Sequence, residues 1–594
     1  MCGIAGVLDL SSPLGSPGLR RIVERLCALQ HHRGPDAAGI WEDPYGRCVL
    51  GHRRLAIIDL DARSNQPMVD GGGRYVVVFN GEIYNFRDLK KALGAAGVRF
   101  RTESDTEVLV EGYARWGHEV FTRLDGMFAL AIYDTEKGEL VLARDRVGEK
   151  PLYVAWADGL ITFASEFKPL LTVPGLSRTV SEASLYEFFV LRYVASPNTL
   201  YESISSVQPG TFLRVRPDGN WSEHSYFAFD VPAERPPVRE EDYIDALESA
   251  LVDAVKTRLL ADVPVGAFLS SGIDSGLVCG IAATLASELR CFSAGFAGDA
   301  NSETAFARRV AEAYGLPFED YLVSETDLLV EAGKFGAILD EPNGDRSCLP
   351  TFFLSRLVRT QVKVAVSGDG GDELFGGYGR YAALRGALAK RERPVDGVLS
   401  YLARGLPVFP LDSLRGAFPG QEAVFRRRFA SRFLSAFARS DLDDIERMRL
   451  VDLHSYLPGA VLAKVDRMSM RNSLEVRTPF FSPGLLELSS RLPMTLCERD
   501  GNLKVALRRL LERYLPTSLI RPIKQGFGMP VSFFQAHAGV FSHLADDADE
   551  ALAEWEPLKD RGAAFSVLRQ AARDNINSLW AWITLGQWSA SLPV

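Results

Sequence analysis

Phe268-Leu269-Ser270-Ser271-Gly272-Ile273-Asp274-Ser275-Gly276 is the stretch whose reading decides the fold. An apolar run, Val263 to Leu269, leads into it and predicts a buried strand despite Pro264. Asp274 to Leu285 predicts a helix with Asp274 near its start. Small and hydroxyl residues lie between them. Strand, small-residue loop and helix N-terminus form a geometry that holds an anionic group. Backbone N–H groups point outward there, and the helix dipole favours negative charge. Ser270, Ser271 and Ser275 add hydroxyl donors. The Gly-Lys-Ser/Thr ending of a Walker A loop is absent, so nothing here grips a γ-phosphate in the kinase manner. An ordinary tight strand–helix turn is the bland alternative.

The stretch resembles the pyrophosphate loop of the ATP pyrophosphatases, usually Ser-Gly-Gly-x-Asp-Ser. The resemblance implies cleavage of ATP between the α and β phosphates and adenylation of a carboxylate. Ser271 stands where Gly is usual, and Gly276 where a second hydroxyl often follows. Both are small enough to keep the loop close to a phosphate.

Working outward, 594 residues allow about four domains. A hydrophobic content of 47% and a charged content of 24% describe a soluble globular chain with ample core. The net charge of −9, with no long basic run, disfavours a nucleic-acid partner. No apolar run reaches membrane-spanning length, and no signal peptide is evident, so a cytoplasmic protein with no membrane partner is expected. Seven scattered cysteines predict free thiols, and eight histidines show no metal-ligand spacing. A homodimer is an option that the sequence does not decide.

The chain begins Met1-Cys2-Gly3-Ile4-Ala5-Gly6. Removing Met1 would leave Cys2 with its thiol and an α-amine on adjacent carbons. That amine, of pKa about 7.7–8.0, can serve as base for its own nucleophile. A chance Cys near a start codon is the alternative. Four further stretches weigh against it: His32-Arg33-Gly34-Pro35-Asp36, Gly51 to Asp59, the strand Tyr75 to Phe79 running into Asn80-Gly81-Glu82, and Thr102 to Glu107. Together they supply a nucleophile, an oxyanion donor pair in Asn80 and Gly81, a cation and two acids. That set binds a free amino acid at both charged ends and hydrolyses its side-chain amide.

This third resembles the class II (N-terminal nucleophile) glutamine amidotransferase domain. The likeness continues through Leu124 to Ala129, Arg144-Asp145-Arg146-Val147-Gly148 and Phe163 to Glu166. It implies a four-layer α/β/β/α sandwich. It also implies that Cys2 attacks the glutamine amide while Asn80 and Gly81 hold the oxyanion. Arg54 would pair with the glutamine carboxylate, and Glu82 and Asp105 with its ammonium. Arg54 suits that part because its planar fork matches a carboxylate. For Asp145 and Arg146 a structural salt bridge is expected.

The recognisable part ends near Pro209-Gly210-Thr211, which sets the first domain at 1–212 and a connection at 213–240. Asp230 to Glu240 is proline-rich and charged, as a semi-rigid linker is. The second domain then covers 241–594. Strands and helices alternate there, which predicts α/β structure around a right-handed, doubly wound parallel sheet. Ligands of such sheets bind at the carboxyl ends of strands. Ala294, at the end of Cys291 to Phe296, would offer its backbone there.

A denser strand-end cluster is Ser367-Gly368-Asp369-Gly370-Gly371-Asp372-Glu373. Three acids within five residues repel one another, and a bound cation offsets that cost. Mg²⁺ chelated by ATP fits, because Mg²⁺ sites use one or two carboxylates plus phosphate oxygens. A solvated acidic turn is the alternative. Downstream lie Lys464-Val465-Asp466-Arg467, Ser473-Leu474-Glu475-Val476-Arg477 and Lys524-Gln525-Gly526-Phe527-Gly528.

The whole order resembles the glutamine-hydrolysing asparagine synthetase family. The resemblance implies that aspartate and ATP give β-aspartyl-AMP and pyrophosphate, and that ammonia from glutamine crosses a tunnel and displaces AMP. By position, Phe268, Leu269, Ser270, Ser271, Gly272, Asp274, Ser275, Ala294, Ser367 and Gly368 would contact ATP. Asp274 and Asp372 would hold Mg²⁺, and Lys524 would stabilise the adenylation transition state. Asp369 sits where a catalytic acid, often Glu, belongs. Leu316-Pro317-Phe318 and Phe481-Ser482 depart from the usual acceptor-side residues, so another carboxylate as acceptor stays open. A scaffold with a dead synthetase site is a further alternative, against which Cys2, Asp274, Asp372 and Lys524 argue; a β-lactam-forming relative is another, against which the N-terminal Cys2 argues. Leu579, Trp580, Trp582, Leu585 and Trp588 fall at helical spacing and predict core.

Overall fold

The computed structural model describes residues 2–10, 16–286, 288–297, 303–386, 397–398, 401, 408–521 and 528–593. The first third carries twelve strands: β1 (Gly3–Asp9), β2 (Ala37–Glu42), β3 (Cys48–Arg54), β4 (Met68–Val69), β5 (Tyr75–Ile83), β6 (Gly126–Asp134), β7 (Glu139–Arg144), β8 (Tyr153–Ala157), β9 (Leu160–Ala164), β10 (Ile204–Ser206), β11 (Thr211–Val215) and β12 (Trp221–Ser225). They form two antiparallel sheets, ordered β10-β8-β9-β1-β3-β2 and β12-β11-β7-β6-β5-β4. β12 carries the second sheet past residue 212, into the stretch that the sequence reading gives to the connection.

Strand periodicity explains the layers. Side chains alternate faces along a strand. On β5, Val76 and Val78 join the core between the sheets, with Ile4 and Leu8 of β1. Val77 and Phe79 point the other way, onto the helices Phe86–Ala95 and Asp105–Trp116 through Leu93, Val108 and Leu109. On β1, Ala5 and Val7 likewise meet Leu19, Val23 and Leu26 of the helix Ser16–Leu29. Both strands are buried on two faces, so they read as continuous apolar runs. The result is the expected α/β/β/α sandwich.

Five more strands build a third sheet, in the rest of the chain: β13 (Val265–Phe268), β14 (Arg290–Phe296), β15 (Phe318–Val323), β16 (Val364–Val366) and β17 (Glu475–Arg477). All are parallel, in the order β15-β14-β13-β16-β17. β13 is shorter than the predicted strand because Pro264 has no N–H for the ladder. Helices cover both faces. Leu277, Val278 and Ile281 of the helix Ile273–Leu285 pack with Ala267 and Cys291. Leu354 and Val358 of the helix Cys348–Arg359, with Val465, pack with Phe292, Ala294 and Ala365. The sheet is doubly wound, and its order reverses between β13 and β16.

Trp580, Trp582, Leu585 and Trp588 are fully buried, as core spacing predicts, and Leu579 is partly buried against the same core. The Trp582 indole donates to Asp549 (2.8 Å) and that of Trp588 to the Asp340 carbonyl (2.8 Å). All seven cysteines are buried free thiols. Among the described residues no helix is long and apolar enough to cross a membrane. The linker is tied down: His454 meets the Phe229 carbonyl at 2.8 Å, and Arg439 donates to that of Val231 at 2.6 Å.

One expectation needs correction. Among the described residues Asp145 and Arg146 form no salt bridge with each other. Asp145 instead accepts backbone N–H groups from Val147, Gly148, Glu149 and Lys150, at 2.7–3.2 Å. Arg146 donates to the carbonyls of Leu124 and Thr122. A carboxylate that folds a turn around itself leaves no oxygen facing its neighbour.

Candidate active site

The reversal of strand order places two loops side by side. The loop after β13 runs from Leu269 into the helix Ile273–Leu285, and the loop after β16 is Ser367 to Gly370. Gly272 caps the helix without a side-chain bond, so the first-turn N–H groups are open to a ligand. The loop holds its own shape: Ser270 N donates to Ser275 Oγ at 3.1 Å, and Gly272 N to Ser270 Oγ at 3.0 Å. The second loop must come very close. A Cβ on Gly371 would lie 2.5 Å from Asp274 Oδ1, and one on Gly377 would collide with Lys504 and Asp372. That close packing accounts for glycine at both positions.

The two loops line one cavity of about 920 Å³, at the upper end of ligand-pocket volumes. Every described ATP candidate lies on it: Phe268, Leu269, Ser270, Ser271, Gly272, Asp274, Ser275, Ala294, Ser367 and Gly368. Asp369 and Asp372 line it too, and Ser367 Oγ donates to Asp369 Oδ2 at 2.8 Å. Lys524 falls outside the described residues; Arg521 and Gly528 on either side of it line the cavity.

Asp274 and Asp372 converge on a single point. Lys504 Nζ lies 2.5 Å from Asp274 Oδ2 and 2.5 Å from Asp372 Oδ1. Burial alone would lower the lysine's pKa; the two carboxylates outweigh it and raise it. Two hard oxygen donors facing one cation beside an anion loop fit Mg²⁺, whose shell phosphate oxygens and water would complete. Among the described residues no group of three or more His, Cys, Asp or Glu is arranged for a metal. Sequence reading missed Lys504. The available signal is its place at the N-cap of the helix Val505–Leu511, where the helix dipole disfavours a cation unless carboxylates face it.

The second cluster lies between the two antiparallel sheets. Cys2 and Asn80 have the register of Ile4 and Val78, so both face the gap. Cys2 N donates to Asn80 Oδ1 at 2.8 Å, across the sheets. Asn80 Nδ2 is buried with no hydrogen-bond partner among the described residues, while its Oδ1 holds Cys2 N. Burial raises the Cys2 thiol pKa, so the thiol needs a base. His52 does not offer one: burial holds its pKa at about 3, and its Nε2 meets the Phe79 carbonyl at 3.2 Å.

A pocket of about 30 Å³ here is lined by Cys2, Arg54, Gly81, Glu82, Asp105 and Glu475. The pocket thus brings together the sequence-chosen Cys2, Arg54, Gly81, Glu82 and Asp105, and Asn80 joins them only through its bond to Cys2 N. Two hold other partners than the resemblance implies. Arg54 NH1 bonds the Asp61 carbonyl (3.0 Å) and Asn65 Oδ1 (2.8 Å), and NH2 the carbonyls of Ile58 and Asp59. Glu82 Oε2 pairs with Arg477 at 2.8 Å. Asp105 accepts from Ile83 N at 3.0 Å, and burial raises its pKa.

Charged side chains join the two clusters. Arg33 is fully buried; its Nε donates to the Cys2 carbonyl (3.1 Å), NH1 to Glu166 (3.3 Å) and NH2 to Asp466 (2.9 Å). Asp466 belongs to the helix Ala463–Met470, which sets Lys464 on the large cavity and Arg467 against Glu341 at 2.5 Å. β17 makes a second link. Glu475 lines the small pocket, Arg477 pairs with Glu82 and Glu475, and the Arg477 carbonyl accepts from Ser367 N at 2.9 Å. Arg33 and Asp466 are 433 positions apart, and no local pattern announces such a pair.

Comparison with known proteins finds matches to both halves of the chain. Residues 1–227 match the family described as glutamine amidotransferase domain, and residues 246–590 the family described as asparagine synthase. The chain is 31% identical to asparagine synthetase [glutamine-hydrolyzing] 1 of Bacillus subtilis, over 89% of this chain and 87% of that protein. It is 34% identical to a putative asparagine synthetase [glutamine-hydrolyzing] of Mycobacterium bovis, over 99% and 97%. It is also 32% identical to amidase chry2 of Gibberella zeae, over 64% and 60%. The chain belongs to the glutamine-hydrolysing asparagine synthetase family, ATP-dependent ligases with glutamine as the amide donor.

Proposed function

We propose that the chain makes asparagine: Cys2 frees ammonia from glutamine, and the large cavity activates the side-chain carboxylate of aspartate with ATP. The observation that supports this most is the cavity at the strand-order reversal, where the anion loop, the Asp274–Asp372 pair and Asp369 face one space.

In the small pocket, removal of Met1 would turn the Cys2 nitrogen into an α-amine held by Asn80 Oδ1. The amine takes the thiol proton as Sγ bonds to the glutamine amide carbon. Asn80 Nδ2 and the Gly81 N–H donate to the oxygen that gains charge. The proton passes to the leaving nitrogen, ammonia departs, and water then hydrolyses the thioester to glutamate. Arg54 Nε faces the substrate carboxylate, and Glu82 and Asp105 its ammonium.

In the large cavity, the N–H groups and hydroxyls of Ser270 to Ser275 hold the phosphates. A carboxylate oxygen of aspartate bonds to the α-phosphorus, and pyrophosphate leaves with the electron pair. Mg²⁺, when bound by Asp274 and Asp372, supplies charge neutralisation on the phosphate oxygens. Lys524 adds a cation to that developing charge. Ammonia then attacks the acyl carbon, AMP leaves, and Asp369 takes the proton released. Ammonia passes between the pockets alongside β17.

The test is pyrophosphate release from ATP with a panel of carboxylates: aspartate, glutamate, sugar uronic acids and hydroxy acids. The reading expects release with aspartate. Release with a different acid alone would replace aspartate and leave the two-pocket scheme standing.

A further inference from the structure

Arg192 ends the helix Glu182–Leu191, in the half of the chain matched by the amidotransferase family. Yet it lines the large cavity, across from the pyrophosphate loop's own domain. Its φ is 73°, the left-handed conformation at a helix end where glycine fits without strain. A non-glycine residue is strained there. The backbone is fixed in that state from both sides: Arg192 N donates to Phe188 O at 2.7 Å, and Gly344 N donates to Arg192 O at 3.0 Å. The strained turn aims a half-buried guanidinium at the cavity.

Asp345, Arg346 and Tyr456 lie near enough to Arg192 to feel its charge. Lys464 faces Asp369 and Asp345. Lys504, by contrast, faces Asp274 and Asp372, beside the phosphate loop. Arg192 and Lys504 thus keep different charged company on one cavity. Around Arg192 the partners are uneven. Asp345 accepts from Ser347 N (2.8 Å) and Ser347 Oγ (2.7 Å). The Arg346 guanidinium is held by Asn577 Oδ1 (3.0 Å) and the Met529 carbonyl (2.9 Å). Among the described residues, Arg192 and Lys464 have no side-chain hydrogen bond and no ion pair. With carboxylates only at longer range, both cations keep donors for an anion that enters the cavity.

We propose that Arg192 is the residue that selects the acceptor, by binding a second carboxylate that does not react. The acceptor class is a small amino dicarboxylate, with one carboxylate adenylated near Asp369 and the other in the planar fork of Arg192. Lys464 adds charge beside it. The assignment rests on the adenylation reading above and deepens it: an arm from the amidotransferase half completes the acceptor site of the other half.

The experiment compares L-aspartate with β-alanine, which is aspartate without its second carboxylate. Pyrophosphate release gives kcat/KM for each, in the wild type, in Arg192→Gly and in Arg192→Lys. Glycine relieves the left-handed strain, so Arg192→Gly removes the guanidinium without harming the fold, and its melting temperature stays at or above the wild-type value. The wild type should prefer aspartate by roughly 100-fold or more, since a site built for a polar group rejects the analogue lacking it. In Arg192→Gly that ratio should fall below about 10, with glutamine hydrolysis unchanged; Arg192→Lys should regain part of it. A structural role would slow both substrates alike. An unchanged ratio in Arg192→Gly, with aspartate still used, overturns the assignment alone. Release by the wild type with neither compound, while glutamine is hydrolysed, overturns the aspartate reading and this assignment with it.

Discussion

Replacing Lys504 by methionine removes the cation between Asp274 and Asp372 and keeps most of the volume. Each carboxylate oxygen lies 2.5 Å from Nζ, so the two are at most about 5 Å apart. Without the ammonium they repel by about 3 kcal/mol at an effective dielectric constant near 20. Lys504→Met should therefore be less stable than the wild type by about 3 kcal/mol at neutral pH. The sign with pH follows. The unrelieved pair raises one aspartate's pKa above its unfolded value, so the deficit shrinks as pH falls and that group takes a proton. Mg²⁺ alone should rescue the variant, because a divalent cation can take the ammonium's place between the two carboxylates. At about 100 times its Kd it would restore about 2.7 kcal/mol. The wild type, whose ammonium already holds both carboxylates, should gain little from Mg²⁺ without nucleotide. Urea unfolding of both proteins, with and without Mg²⁺, reads this directly. A variant as stable as the wild type, with the same small response to Mg²⁺, would refute the reasoning.

Cys2→Ala should abolish glutamine-dependent amide formation and leave activity with added ammonium; loss of both, measured as AMP release, would refute two separable sites. Lys524→Ala should remove pyrophosphate release while glutamate production from glutamine survives; undiminished release would sink its assigned part. Burial would raise the Glu166 pKa, but His32 and Arg33 outweigh it and hold it at about 2, against 4.5 for a free glutamate. Its folded pKa is depressed, so its contribution, about 3 kcal/mol, is present above pH 4.5 and is lost as pH falls toward 2. Unfolding of the wild type and Glu166→Gln from pH 5 downward should show their difference shrinking; a constant difference would contradict the pairing.

Much of the nucleotide site was legible because its determinants are local. The apolar run before Leu269, the small residues after it and Asp274 at the helix start sit within one strand–loop–helix unit. The acidic glycine loop at Ser367 to Glu373 is another such unit. Strand alternation also carried Cys2 and Asn80 to a shared gap, through faces set residue by residue along β1 and β5. What stayed hidden depends on distant parts of the chain. Lys504 reads as a surface lysine until the fold brings Asp274 and Asp372 to it. Arg33 reads as part of a polar turn until Asp466 and Glu166 close around it. Glu82 was assigned from its motif, and the buried Arg477 that pairs with it comes from the other half of the molecule. Arg192 hides for a different reason, since a positive φ at an arginine leaves no mark in sequence.

The measurement that tests the central claim most directly is mass spectrometry of the products from glutamine labelled with ¹⁵N in its amide, Mg-ATP and L-aspartate, in the presence of unlabelled ammonium. The account predicts asparagine, AMP and pyrophosphate in equal amounts, with the asparagine carrying ¹⁵N because ammonia passes inside the protein. Labelled ammonia in solution and glutamate, without asparagine or AMP, would contradict it.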